Sequence, residues 1–367
     1  MKNKHTLGDL KQMQSLPLSA KIQMTRRRIR DWVEEFGEDG VYVSFSGGKD
    51  STVLLDIVRK DYPDIEAVFV NTGLEYPSVR QFALSKENVT ELRPTINFRD
   101  VVIKYGYPII GKRVAKTIHY YRKGAEWAVD VMQGLDHRTG KPCGYSRDRY
   151  GKWKFLTGAP FAISDLCCGH MKEKPLRSMK RKSISALLAC EGTRRENAWL
   201  KTGCNSFSTG MSKPMSFWTE NDVLQYIHEN NLSIAGAYGQ VVVRNGGDSV
   251  DGQINIHDYL GDYRDCKYET TRCPRTGCIF CGFGITQDKQ RFIRLAEQEP
   301  KLCDYVMRGG EFSESGMWQP SIDGLGYWFV LEWLNVHGNL KIGIPNREHY
   351  LSAFQTAVTK KLISGGA

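Results

Sequence analysis

The sequence predicts an α/β protein built on an open, Rossmann-like parallel sheet, and three observations predict it. Short β-rich runs at 41–45, 66–70 and 89–92 alternate with helical patterns at about 51–60, 77–87 and 98–105, the rhythm of βαβ units. The stretch SFSGGKDST, residues 44–52, falls between the first strand and the first helix of that series. Asn71-Thr72-Gly73 follows the second strand, so both turns lie beyond the carboxyl ends of strands, where ligands of such sheets bind.

The other elements follow the same logic. Ile22, Ile29, Trp32, Val33 and Phe36 recur at helical spacing, predicting a helix from Ser19 to Phe36 with Ser19 as N-cap. Lys21, Arg26, Arg27, Arg28 and Arg30 fall on its other face, a solvated face by default, with nucleic-acid contact as the alternative. After Gly106 the texture changes, and residues 133–160, rich in Gly, basic and aromatic side chains, read as an insertion or long loop. A strand is expected near 185–189, and a helix at about 220–230 with Thr219 as N-cap. Residues 244–277 read as extended loops, and 290–298 and 326–336 as helical runs. The expected organisation is a helical segment over 1–37, a nucleotide-binding domain over 38–235, a cysteine-rich region over 236–310 and a helical region over 311–367.

Composition narrows the class. The chain has 367 residues, 41% hydrophobic and 25% charged, which suits one large or two ordinary globular domains and excludes wholesale disorder. The net charge of +10 points to a polyanionic partner or to a surface that only keeps the protein soluble. The start, MKNKHTLGDLKQMQ, has no apolar h-region, and no window holds the ~18 apolar residues of a span. A cytoplasmic protein without a membrane partner is expected. Ten cysteines in a chain of this size point to metal or redox chemistry, not a disulfide scaffold.

The chemistry of SFSGGKDST is that of a phosphate cradle. Gly47 and Gly48 let backbone N–H groups approach an anion, and the helix that follows aims its positive end at the same place. Lys49 adds a mobile charge; Ser46, Ser51 and Thr52 offer hydroxyls; Asp50 is placed to cap the helix or orient magnesium. The four residues that a Walker A loop needs between its glycine and GK[ST] are absent.

SGGKDS between a strand and a helix resembles the PP-loop of N-type ATP pyrophosphatases, which cleave ATP between the α and β phosphates and adenylate a substrate. FVNTGLEYPSVRQF (69–82) is similar to the strand end that follows this loop in phosphoadenosine phosphosulfate (PAPS) reductases, with Asn71 where those proteins usually have aspartate. Cys167-Cys168 with Lys172, Lys174 and Pro175, EGTRREN at 191–197 and PMSFWTENDVLQYI at 214–227 resemble further segments of sulfonucleotide reductases. The resemblance implies an adenine nucleotide α-hydrolase-like fold. It implies ATP and Mg2+ held by Ser44, Ser46, Gly47, Gly48, Lys49, Asp50, Ser51, Asn71, Thr72 and Gly73. Arg194 and Arg195 carry forked donors suited to sulfate or phosphate, or form a structural ion pair with Glu191 or Glu196.

TRCPRTGCIFCGFG (271–284) places Cys273, Cys278 and Cys281 at C-x4-C-x2-C spacing, with Cys266 upstream. Four thiolates suit a [4Fe–4S] cluster or, as the lesser alternative, zinc; a C-x-x-C redox pair is a further alternative. By resemblance to cluster-binding reductases, the ligands are Cys167, Cys168, Cys278 and Cys281. GCIFC and Gly203-Cys204-Asn205 also resemble the sulfur-activating subunit of DNA phosphorothioation systems, which implies a second ligand set, Cys168, Cys204, Cys278 and Cys281, and leaves Cys167 or Cys273 to carry sulfur; Cys204 is also a candidate catalytic thiol and Cys273 an alternate ligand. Cys143, Cys190 and Cys303 read as buried or incidental thiols.

Two departures separate the chain from reductases: no ECG-type cysteine motif follows Cys303, and Lys49, Asp50 and Ser51 of the phosphate loop are intact. The expected function is therefore ATP-dependent adenylation of a nucleic acid, tRNA or DNA, followed by transfer of sulfur from a cysteine desulfurase. A PAPS or APS reductase and a non-catalytic nucleotide and nucleic-acid binding module are the alternatives.

Overall fold

The computed structural model describes residues 3–244 and 267–352. Cys266, most of the loop expected over 244–277 and the tail beyond residue 352 lie outside the described residues. The chain forms two interleaved units, the first from 1–93 and 175–278, the second from 94–174 and 279–367. In order, the first pass gives α1 (Leu7–Gln14), α2 (Leu18–Phe36), β1 (Val41–Phe45), α3 (Lys49–Asp61), β2 (Ala67–Val70), α4 (Pro77–Leu84) and β3 (Val89–Leu92). The second unit begins with α5 (Phe98–Tyr105), β4 (Ile109–Ile110), α6 (Lys112–Arg122), α7 (Glu126–Gln133) and α8 (Gly144–Tyr150). After the short turn α9 (Lys174–Leu176), the first unit resumes with β5 (Lys182–Ser185), α10 (Thr193–Thr202), β6 (Asn205–Ser206), β7 (Met211–Ser212) and α11 (Glu220–Glu229).

The first unit is an α/β Rossmann-like layer structure. Its sheet has the order β3-β2-β1-β5-β7-β6, parallel except that β6 runs antiparallel to β7. Strand order reverses beside β1: β2 and β3 extend to one side, β5 and β7 to the other. That reversal opens a crevice at the carboxyl end of β1, where a ligand fits. Helix α3 buries Val53, Leu54, Ile57 and Val58 completely in the core shared with Val41, Val43 and Phe45. Each such side chain contributes about 1.5–3 kcal/mol, so the sheet and α3 form a rigid base for the turn between them.

The strand expected near 185–189 is β5 at 182–185: the backbone of KSIS pairs with Val41–Ser44, while the more apolar ALLA run passes beyond the sheet edge. Pro17, not Ser19, is the N-cap of α2, and no side chain caps it, because the proline already holds the extended backbone that helix entry requires. Lys21 does not lie on a solvated face. It is 2% exposed, and its ammonium donates to both oxygens of Asp222 and to the Gln14 carbonyl. Thr219 caps α11 as expected, in a capping box closed by that same Asp222.

In the second unit, β4 pairs in parallel with Gly282–Phe283. A Cβ at Gly282 would stand 2.8 Å from the Pro108 carbonyl, so only glycine permits this approach. Tyr107, Phe161, Phe292 and Tyr327 form an aromatic core beneath helix Tyr327–Gly338. The stretch 133–160 is not a long loop: α8 and a 3-10 segment, Gly151–Gly158, fill most of it. The Arg122 guanidinium organises that segment by donating to the carbonyls of Leu156, Ala159 and Phe161, bonds that glycine-rich composition does not reveal.

Candidate functional site

The turn Ser46-Gly47-Gly48 sits at the β1 carboxyl end and passes directly into α3, whose first N–H groups have no intrahelical acceptor. Gly47 has φ +69, and a Cβ there would lie 2.9 Å from the Val79 carbonyl. Gly47→Ala is therefore expected to cost about 1–3 kcal/mol in backbone strain and to push α4 aside; a thermal melt superposing on that of the parent would contradict this. Asp50 is not the cap: Gly48 holds the N-cap position without a side-chain bond. Hydroxyls tie the cradle internally instead. Ser51 Oγ donates to the Gly48 carbonyl and shares a 3.0 Å hydrogen bond with Ser46 Oγ; Thr52 Oγ1 also donates to the Gly48 carbonyl.

Lys49 is 3% exposed. Its ammonium lies 3.0 Å from Glu220 Oε1 and 3.8 Å from Asp50, and donates to the Pro274 carbonyl at 3.2 Å. Burial alone would push this lysine toward neutrality, but Asp50 and Glu220 outweigh it and hold its pKa above the ordinary lysine value. The group is thus a buried, permanent cation with two carboxylate neighbours. Its own backbone N–H donates to the Tyr238 hydroxyl, which shares a 2.9 Å bond with Thr276 Oγ1. The segment Cys273–Thr276 is thereby hydrogen-bonded onto the phosphate loop through Lys49 and Tyr238.

The second turn is occupied with its own geometry. Asn71 Oδ1 accepts from the Gly73 N–H, and its amide donates to Glu91. Thr72 donates through both N–H and hydroxyl to Glu75. The asparagine at this position shapes the turn. Ser44 stands on β1, paired with Val68 and Ser185.

Arg195 pairs with Glu191, the structural arrangement weighed in the sequence, while Arg194 is exposed. Burial first, and the Arg275 charge second, lower the Arg195 pKa, with Asp50 and Cys190 opposing. Asp50, Glu220, Arg195, Arg275 and Cys190 therefore surround the start of α3. Cys190 is exposed as a residue while its sulfur is partly desolvated; that desolvation first, and then Glu220, raise its thiol pKa, against the lowering effect of Arg275. Spacing in the sequence did not single out Glu220, Tyr238, Arg275, Thr276 or Cys190. Glu220, Arg275 and Thr276 were visible only as members of quoted segments and Cys190 only as a buried or incidental thiol, and no local pattern marks the contacts that bring them together.

The cysteines fall in different surroundings. Cys204 is buried in the core of the first unit, receiving a hydrogen bond from Ser216 at 3.3 Å. Cys273 is also buried and lies 3.7 Å from the Tyr76 hydroxyl. Cys278 ends the first unit's share of the chain; Cys167, Cys168 and Cys281 belong to the second. A π-helical turn, Gly169–Glu173, follows the tandem pair directly, a distortion often found at functional positions. The Tyr327 hydroxyl is fully buried and has no hydrogen-bond partner among the described residues. Its pKa is raised by burial and then by Cys281 and Cys167, so both thiols lie within electrostatic reach of an orphaned donor. That donor suits a thiolate- or sulfide-rich group, which would accept its proton in a hydrogen bond. Among the described residues, no three His, Cys, Asp or Glu side chains converge on a metal-ion geometry.

Comparison with known proteins follows the phosphate loop. Residues 40–123 match the phosphoadenosine phosphosulfate reductase domain family, a span from β1 through α6 that contains both strand-end turns and neither cysteine segment. A solved phosphoadenylyl-sulfate (PAPS) reductase from Candida auris, in a phosphate complex, is 16% identical over 58% of this chain and 82% of that chain, with a TM-score of 0.33. No curated protein matches the sequence. Among the described residues, no helix is long and apolar enough to cross a membrane.

Proposed function

We propose that this protein cleaves ATP between the α and β phosphates to adenylate a nucleic acid, tRNA or DNA, in support of sulfur transfer. The observation that carries the reading is Lys49: a buried ammonium, kept charged by Asp50 and Glu220, at the mouth of an anion cradle on a helix N-terminus. A fixed cation in a water-poor site stabilises a pyrophosphate leaving group far better than one in bulk solvent. Ser46, Gly47, Gly48 and Ser51 would hold the phosphates, and Asp50 with Glu220 would hold magnesium. A substrate oxygen attacks the α-phosphorus, the bond to the bridging oxygen breaks, and pyrophosphate leaves with that electron pair. Arg194 and Arg195 are proposed as forked donors to the phosphates, Cys204 as a catalytic thiol or alternate ligand, and Cys167 or Cys273 as the sulfur carrier.

A [4Fe–4S] cluster, with zinc as the lesser alternative, is proposed on Cys167, Cys168, Cys278 and Cys281; when bound, it would supply electron or sulfide chemistry. Cysteine desulfurase is the proposed donor and the cytoplasm the proposed location. The match over residues 40–123 favours a second reading, a sulfonucleotide reductase.

One experiment separates the two. Anaerobically purified protein, assayed for iron and sulfide, is expected to release pyrophosphate only when ATP and tRNA or DNA are supplied together. Sulfite release from PAPS or APS with thioredoxin would instead establish the reductase, and zinc without sulfide would overturn the cluster.

A further inference from the structure

We infer that the helical stretch spanning residues 112–154 is the surface on which a single-stranded stretch of nucleic acid docks. The proposed function supplies only the reason for such a ligand to come; the surface itself is argued from charge and exposure. Residues 112–154 hold eleven Lys and Arg against four Asp and Glu, so +7 of the chain's +10 falls in this segment. All of the eleven except Arg122, which is spent on backbone carbonyls, are exposed. Of those ten, only Arg147 has a carboxylate within ion-pair distance among the described residues, its neighbour Asp148. Solubility does not require such crowding, because dispersed charge of mixed sign serves it as well and avoids self-repulsion. A polyanion removes the repulsion and gains counterion release.

Local structure joins part of this charge into a surface. Lys112, Arg113 and Lys116 occupy the first turns of α6, and Arg149 lies on α8. Arg113 and Arg149 both donate to the hydroxyl of Tyr145, which ties the two helices together, and the Arg149 guanidinium lies 5.4 Å from that ring. Tyr145 is 56% exposed. The hydroxyl accounts for the link between the helices, while the ring itself is left at the surface, flanked by guanidiniums. It is also the one element of this surface that a duplex, with its bases enclosed, does not use. Unpaired bases stack on such a ring while neighbouring phosphates meet the lysines. The matched domain family ends at residue 123, so α7, α8 and the 3-10 segment lie outside what the match describes.

The test measures fluorescence anisotropy of the full-length protein with labelled DNA and RNA strands of about 16 nucleotides and with the corresponding duplex, without ATP. The triple variant Lys112→Ala/Lys116→Ala/Lys152→Ala changes only exposed side chains. It should bind single strands about tenfold more weakly near ~0.1 M salt, with the log–log salt slope reduced by about 0.7 for every phosphate left unneutralised. Tyr145→Ala should weaken single-strand binding about five- to tenfold and leave the slope unchanged. Lys11→Ala/Lys301→Ala, exposed but outside residues 112–154, should bind as the parent does. Parent-like binding by the triple variant, an equal loss in the control pair, or tighter binding of the duplex than of the strand would each overturn the inference. Because no ATP is present, failed pyrophosphate release alongside intact binding that depends on residues 112–154 would count against the proposed function alone.

Discussion

Replacing Asp222 with alanine is expected to cost about 3–5 kcal/mol of folding stability, because it strands a buried charge. The Lys21 ammonium is 2% exposed and donates three hydrogen bonds, two of them to Asp222 at 2.7 and 2.8 Å. Asp222 also accepts from the Thr219 N–H and hydroxyl as the N3 member of the capping box. One substitution therefore removes an ion pair and a helix cap, and leaves Lys21 with a single carbonyl. Urea denaturation measures the loss. Arg26→Ala, which breaks a more exposed pair with Asp61, should cost no more than about 1 kcal/mol. The double change Lys21→Met/Asp222→Leu should recover much of the stability, since no charge then remains buried. Equal losses for Asp222→Ala and Arg26→Ala would contradict the argument.

That pair also shows where the sequence stops being legible. Helical periodicity placed Lys21 on the polar face of α2, and nothing local announces a partner 201 positions away. The strands were easier: Val41, Val43 and Phe45 alternate, and 67–70 and 89–92 are bounded by turn residues, so β1, β2 and β3 were readable. β5 was displaced because its pairing is made by the backbone of a mixed run, KSIS, while an apolar run stands next to it. The cradle itself, Ser46 to Ser51, was legible because its chemistry is contiguous. Its closing contacts were not, because Glu220, Tyr238, Pro274 and Thr276 reach Lys49 and its neighbours from three distant segments. The aspartate-to-asparagine departure at 71 could be read, and its bonds to Glu91 and Gly73 give it a structural use.

Those closing contacts make the sharpest prediction about the site. Lys49→Ala should lower nucleic-acid-dependent pyrophosphate release by about 10²–10³-fold, the usual loss when one preorganised donor to a developing charge is removed. The fold should tolerate it: the carboxylates left behind, Asp50 and Glu220, are partly exposed and can be hydrated. Glu220→Gln tests the same ammonium from the other side. In the described structure Glu220 lies 3.0 Å from Lys49, so triphosphate oxygens must compete with a carboxylate for it. Removing that negative charge weakens the competition and the repulsion together, and ATP should bind several-fold more tightly. If magnesium joins Glu220 to the phosphates, turnover falls and the tighter binding is seen only without magnesium, so the two variants separate the cation's task from the carboxylate's. Turnover by Lys49→Ala within a few-fold of the parent would mean that ATP is not cleaved at this loop. The cradle would then be a binding site whose chemistry lies in the thiols.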